Sequence, residues 1–387
     1  MIRSAPQVRT SLGALAGALI ALWPGSLPRD VTTAATLTAA CVAMMTGLAG
    51  ILGPAPGGNE TRRRVVAAVS TSTLVVMVTL NMLWQNIIRD DLGVARVNAG
   101  YGLTLVVAAV AAFVALAWFR RGSALIALAC TLVAGLLAAP APSTAATSGD
   151  IGREASILTE NWIRTGGLHK RAVVIAVPTG SGWVDPQATA AMRAQFDGDV
   201  AILALPYAFS SSWRVFVAHR EAAGASAIAV ASRVLAALDK LPPATPRPKL
   251  YLYGQSLGAL GADRARVWIQ THHHTALAGT ILAGLPADTV GADRSASPRI
   301  VIANSSDPIT RWSPASIWRP PTQPPETRWV GRATHMPPWI PLASFVQASV
   351  DLLGALDGAA GSGHRYGPEQ GRLRRLSAQP IGPRAAS

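Results

Sequence analysis

Four apolar runs in the first part of the chain most constrain its fold: Thr32 to Leu52, Val65 to Trp84, Leu103 to Phe119 and Ala124 to Ala139. A hydrocarbon core takes about 20 apolar residues to cross, and the first two runs meet that length while the last two fall slightly short. Peptide groups in lipid have no water to bond, so runs of this kind are expected as helices. Ser11 to Trp23 is a shorter candidate, preceded by Arg3 and Arg9. It has the length of a signal-peptide core, but no A-x-A cleavage site follows and further spans come next, so a first, uncleaved helix is expected.

Charge supports this division. From Met1 to Pro142 there are 10 Arg against 4 acids, and from Ala359 to Ser387 there are 5 Arg against 1 acid, within a net charge of +14. The excess sits in loops beside the spans and in a tail, so the expected counter-charge is anionic lipid headgroups in a bilayer and not nucleic acid. Arg62-Arg63-Arg64 and Arg120-Arg121 mark cytoplasmic loops by the positive-inside rule, whereas the loop between them sets Arg89 and Arg96 beside Asp90 and Asp91. Traced from Arg62, the chain leaves its last span on the extracytoplasmic side of a cytoplasmic membrane. No ionisable residue falls at bilayer depth, which argues for an anchor and against a transporter. Ser70 to Thr73 is expected to bond neighbouring helices. Cys41 and Cys130 both lie in apolar runs, where a thiol acts as a small hydrophobe, and they form no disulfide framework.

Beyond the Pro/Ala/Ser stretch Ala139 to Gly149 the polar residues return. A helix is expected from Ser156 to Arg164, then a strand Ala172 to Val177 and the glycine-rich loop Pro178 to Pro186. Asp185 before Pro186 reads as an N-cap with proline at N1 of a helix Gln187 to Phe196. A strand Asp199 to Leu205, a long amphipathic helix Val215 to Leu238 and the proline-broken loop Pro242 to Pro248 come next. Short strands follow at Thr280 to Ala283, Ile300 to Ala303 and Thr327 to Val330, with a helix Leu342 to Leu356. Strands alternating with helices imply a mostly parallel, doubly wound sheet.

Within Lys249 to Ala262, a buried strand runs into Gly254-Gln255-Ser256-Leu257-Gly258 and then into small residues that open a helix. This G-x-S-x-G pattern between strand and helix is that of a nucleophile elbow, a turn too sharp for bulk two places on either side of the serine. It exposes Ser256 Oγ and sets the Leu257 N–H under a developing oxyanion; a second donor is expected from Thr179 or Gly180. The alternative is a tight turn of purely structural meaning. Asp307, just past the strand Ile300 to Ala303, holds the position of a triad acid in the order Ser, Asp, His, and also suits an ordinary turn. For the base, His335 after the last strand and His364 in a glycine loop both fit the pattern. His272 to His274 close a helix, where solvated cations are favoured over a metal site; no cofactor is expected.

Taken together, Gly182-Trp183-Val184-Asp185-Pro186, the elbow at Ser256, Ser306-Asp307-Pro308-Ile309 with Trp312, and Gly363-His364-Arg365-Tyr366-Gly367 resemble a largely uncharacterised bacterial family of membrane-anchored α/β-hydrolases. The resemblance implies Ser256 as nucleophile, Asp307 as acid and His364 as base. It also implies an N-terminal multi-helix membrane domain ahead of the hydrolase. The chain departs from the family in carrying Ser362 where the closing motif has a second histidine. The stretch before Arg171 is also too short to hold the opening strands of the sheet.

The expected architecture is thus a transmembrane domain of four or five helices (1–142), a linker (143–155), an α/β-hydrolase domain (156–367) and a disordered basic tail (368–387). The expected activity is a serine hydrolase or acyltransferase acting on an ester or acyl substrate, lipidic because the sheet would open near a bilayer, with Tyr207 to Trp213 as lid or membrane contact. The rival readings are a catalytically inactive hydrolase fold used as an envelope scaffold, and a transporter with an appended domain.

Overall fold

The computed structural model describes residues 6–51, 59–118, 148–179, 182–207, 220–273, 277–291 and 299–373. The chain divides into two compact units. One comprises Met1–Ala139, Pro314–Pro320 and Arg332–Ala355; the other comprises Pro140–Ser313, Pro321–Gly331 and Leu356–Ser387.

Among its described residues the first unit holds the helices α1 (Val8–Leu22), α2 (Val31–Ile51), α3 (Glu60–Leu92) and α4 (Ala99–Trp118). Small residues let α1 and α2 approach closely: a Cβ added at Gly13 would lie 2.6 Å from the Met45 carbonyl oxygen, and one at Gly17 would collide with the Cys41 carbonyl. Ser11 to Trp23 thus folds as a helix seated on its neighbour. The fourth apolar run, Ala124 to Ala139, lies outside the described residues, as do Arg120, Arg121 and Cys130.

α3 is 33 residues long and overruns the expected Val65 to Trp84. At about 1.5 Å per residue it extends roughly 50 Å, beyond a hydrocarbon core of about 30 Å. Polar residues at the end of the expected run and just past it find partners. Asn81 Nδ2 donates to the Leu22 carbonyl (3.0 Å), Trp84 Nε1 to the Gly25 carbonyl (2.8 Å), and Gln85 Oε1 accepts from the Arg29 backbone N–H (3.0 Å). Asn59 caps its N-terminus and left-handed Gly93 ends it.

The segment Arg332–Ala355, expected within the hydrolase domain, belongs instead to this helical unit. Its helix α9 (Ala343–Asp351) is shorter than the expected Leu342 to Leu356 and runs on as a 3-10 turn, Leu352–Gly354. The physical reason for its allegiance is a buried polar clasp. Arg29 Nη2 meets Asp351 Oδ1 at 2.6 Å, with side chains 7 % and 1 % exposed. Asp351 Oδ2 accepts from Ser26 N (2.6 Å) and Ser26 Oγ (3.0 Å), and Gln347 Nε2 donates to the Ile20 and Ala21 carbonyls left open at the end of α1.

Among the described residues the second unit is built on a six-stranded sheet in the order β2-β1-β3-β4-β5-β6, every pair parallel. The strands are β1 (Ala172–Val177), β2 (Val200–Leu203), β3 (Lys249–Gln255), β4 (Gly279–Ala283), β5 (Arg299–Asn304) and β6 (Arg328–Val330). Among the described residues no strand precedes β1. β1 is buried along its whole length, as a parallel strand covered on both faces must be. Val173, Ile175 and Val177 pack under α5 (Ser148–Arg164), α7 (Arg220–Asp239) and α8 (Leu257–His272), while Ala172, Val174 and Ala176 face α6 (Pro186–Gln195). Asp185 Oδ1 accepts from Gln187 N (2.7 Å) and so caps α6 ahead of Pro186.

Four described helices are long and apolar enough to cross a membrane by length and composition: α2, α3, α4 and α7. Of these α7 is 56 % buried over its apolar window and packs on the sheet, whereas the other three are at most 33 % buried.

Both expected boundaries of the sheet unit move outward. α5 begins at Ser148 and buries Ile151, Ala155 and Trp162, which takes it into the expected linker. At the far end Pro368–Gly371 form a 3-10 turn instead of opening a disordered tail, because Gln370 and Leu373 are fully buried and the Tyr253 hydroxyl donates to Gln370 Oε1 at 2.6 Å. Residues 374–387 lie outside the described residues.

Candidate active site

The centre of the site is the turn from β3 into α8. Ser256 has φ 57° and ψ −125°, a conformation that costs a non-glycine residue about 1–3 kcal/mol. Close packing enforces it. A Cβ on Gly254 would strike the Gly258 carbonyl, and one on Gly258 would strike the Val177 carbonyl at the end of β1. Ser256 N donates to the Ala283 carbonyl of β4 at 2.9 Å. Its side chain makes no capping bond to α8, and it alone of Gly254–Gly258 is only half-buried.

Asp307 follows β5 and is completely buried. Its Oδ1 accepts from Ile309 N at 2.9 Å, and its Oδ2 lies 2.8 Å from His364 Nδ1. A carboxylate can only accept, so Nδ1 carries the proton and Nε2 of the neutral ring is left as acceptor. That Nε2 is buried and has no hydrogen-bond partner among the described residues.

The loop bearing His364 is gripped by the carboxyl ends of β3 and β5. Gln255 Nε2 donates to the His364 carbonyl (3.0 Å), Asn304 Nδ2 to the Gly363 and Arg365 carbonyls (3.0 and 3.1 Å), and Ser306 Oγ accepts from Gly363 N (2.9 Å). Gly284, at φ 57°, closes the cage: a Cβ there would stand 2.5 Å from His364 Cε1. The peptide holding Ser256 in register and the glycine under the imidazole are therefore consecutive residues of one chain, Ala283 and Gly284. Tyr366 packs edge-on against the His364 ring, centroids 5.7 Å apart, and its hydroxyl donates to Asp307 Oδ2 at 2.6 Å.

Of the sequence candidates, Ser256, Asp307 and His364 lie together at the carboxyl edge of one sheet. Leu257 is the first residue of α8, where an N–H lacks an intrahelical acceptor. Thr179 comes two residues after the end of β1, next to the Val177-Pro178 segment whose carbonyls abut Gly258; Gly180 lies outside the described residues. His335 belongs to the helical unit, where its Nδ1 and backbone N–H meet Asp91 Oδ2 at 2.8 and 2.9 Å with the side chain exposed. His272 and His273 rest on the Trp268 ring. Tyr207, first residue of the expected lid, is instead buried, its hydroxyl donating to the Pro178 carbonyl at 3.0 Å; residues 208–219 lie outside the described residues.

Gln255, Asn304, Ser306, Gly284 and Tyr366, which carry no role in the sequence pattern, surround the His364 loop and Asp307. The available signal was polar residues closing otherwise apolar strands, as Gln255 closes β3 and Asn304 closes β5.

Residues 144–299 and 291–376 match a family described as the alpha/beta-hydrolase family. No curated protein and no solved structure matches the chain.

Proposed function

Because the chain belongs to the alpha/beta-hydrolase family and carries N-terminal helices long and apolar enough for membrane spans, we propose that it is a membrane-anchored serine hydrolase acting on ester bonds. The observation that carries the reading is the pairing of His364 Nδ1 with buried Asp307, which leaves Nε2 without a partner among the described residues, on the same sheet edge as the half-buried Ser256.

In this mechanism Ser256 Oγ attacks the acyl carbonyl as its proton passes to His364 Nε2. Asp307 holds the imidazole in the Nδ1–H tautomer and stabilises the imidazolium. The Leu257 N–H, with one from Thr179 or Gly180, binds the oxyanion, each donor contributing about 3 kcal/mol. His364 then protonates the leaving alcohol, and water or a second alcohol releases the acyl group from Ser256. Water gives hydrolysis; an alcohol gives acyl transfer.

The helical unit supports a multi-pass anchor in the cytoplasmic membrane. Arg62 to Arg64 favour an extracytoplasmic hydrolase. An enzyme held at a bilayer meets lipidic or envelope esters first, which makes them the substrate class to try. The full chain in lipid nanodiscs should release free fatty acid from membrane lipid extracts, and Ser256→Ala should release none. Turnover of short soluble esters with no product from lipids would remove the lipidic assignment.

A further inference from the structure

The hydroxyl of Tyr366 is engaged on both sides. It donates to Asp307 Oδ2, the oxygen that also takes His364 Nδ1, and it accepts from Asn304 N at 3.3 Å, at the end of β5. Its ring is 1 % exposed and lies at 88° to the imidazole. One residue therefore touches the acid, the ring of the base and the strand that carries the acid.

A fully buried carboxylate needs several donors to stay ionised. Among the described residues Asp307 has three on its side chain: Ile309 N on Oδ1, and His364 and Tyr366 on Oδ2. We infer that Tyr366 is a positioning residue for the proposed triad, its hydroxyl fixing the Asp307 carboxylate in the plane that meets His364 Nδ1 and moderating the charge that the imidazole feels. The inference rests on the Ser256, Asp307 and His364 reading.

Burial first, and then the negative Asp307, hold the Tyr366 phenol well above its usual range, so it remains a neutral donor at any working pH. The charged groups acting on it are Asp307 and, as the last contributor, Glu369, whose carboxylate also accepts from Gly367 N at 2.7 Å. Gly284 leaves no slack on the remaining side, since a Cβ there would stand 2.9 Å from the Tyr366 hydroxyl.

The sign of the effect follows from the shared oxygen. Without the hydroxyl, the full negative charge of Oδ2 falls on His364 and the protonated imidazole is favoured. The acid limb of the rate profile then moves to higher pH.

The test uses the full chain in nanodiscs and a short-chain p-nitrophenyl ester, with kcat and KM measured against pH for wild type, Ser256→Ala and Tyr366→Phe. Tyr366→Phe should lower kcat about 10-fold with KM unchanged and move the acid limb up by roughly half a pH unit. Replacement of Tyr366 by 3-fluorotyrosine, a stronger donor of nearly the same shape, should move the limb the other way; it keeps the proposal open to refutation if the phenylalanine variant fails to fold. An unmoved limb in the fluorotyrosine protein, or a limb moved down in Tyr366→Phe, would overturn the role of Tyr366 while the triad stands. Wild type as inert as Ser256→Ala would instead remove the hydrolase reading on which the role depends.

Discussion

Gly284 shows how much of the proposed chemistry depends on a residue with no reactive group. Its φ of 57° lies in the left-handed region, and a Cβ would stand 2.5 Å from His364 Cε1 and 2.9 Å from both His364 Nδ1 and the Tyr366 hydroxyl. Gly284→Ala must therefore push the imidazole aside by a sizeable fraction of an ångström, and displacement on that scale costs about 100-fold in rate. The fold should survive, since an alanine forced into this conformation costs only about 1–2 kcal/mol. Ester hydrolysis by the variant should fall about 100-fold while its melting temperature drops by a few degrees; unchanged hydrolysis would mean that the His364 ring is not the base. Nothing in the local sequence marked this glycine, because what it avoids lies 80 residues further along the chain.

Elements whose signal is local were legible. The runs at β1, β3, β4 and β5 are short, apolar and bounded by turn residues, and the G-x-S-x-G turn sits where strand meets helix. The allegiance of α9 was not legible, because its reason is a pair separated by 322 positions, Arg29 and Asp351. By local pattern α9 is one more helix after a strand; by partners it closes the end of α1. The same long reach hid the choice between His335 and His364, which differ in sequence only by the element that precedes them. Removing one member of a buried ion pair strands the other, at a cost of about 3–5 kcal/mol. Asp351→Ala or Arg29→Ala should accordingly lower the unfolding free energy of the helical unit by that amount, and Arg29→Met with Asp351→Leu should recover much of it. Denaturant unfolding of the full chain in detergent micelles measures this, and a neutral Asp351→Ala would show that the clasp contributes nothing.

Across the whole molecule the two units are interleaved in sequence. The chain leaves the sheet unit after Gly331, supplies Arg332–Ala355 to the helical unit, and returns at Leu356, eight positions before His364. A fragment cut free at the end of the apolar runs would therefore carry α9 without the Arg29, Ser26 and α1 carbonyls that satisfy it, so assays belong on the full chain. The proposal on which the chemistry turns is that Ser256 is a nucleophile whose base is His364. Treatment of membranes holding the intact protein with a fluorophosphonate probe, followed by mapping of the modified peptide, tests it directly. A single adduct on Ser256 is expected, lost in Ser256→Ala and His364→Ala and retained in His335→Ala. A folded, membrane-inserted wild type that takes up no probe would contradict it and leave a hydrolase fold serving as an envelope scaffold.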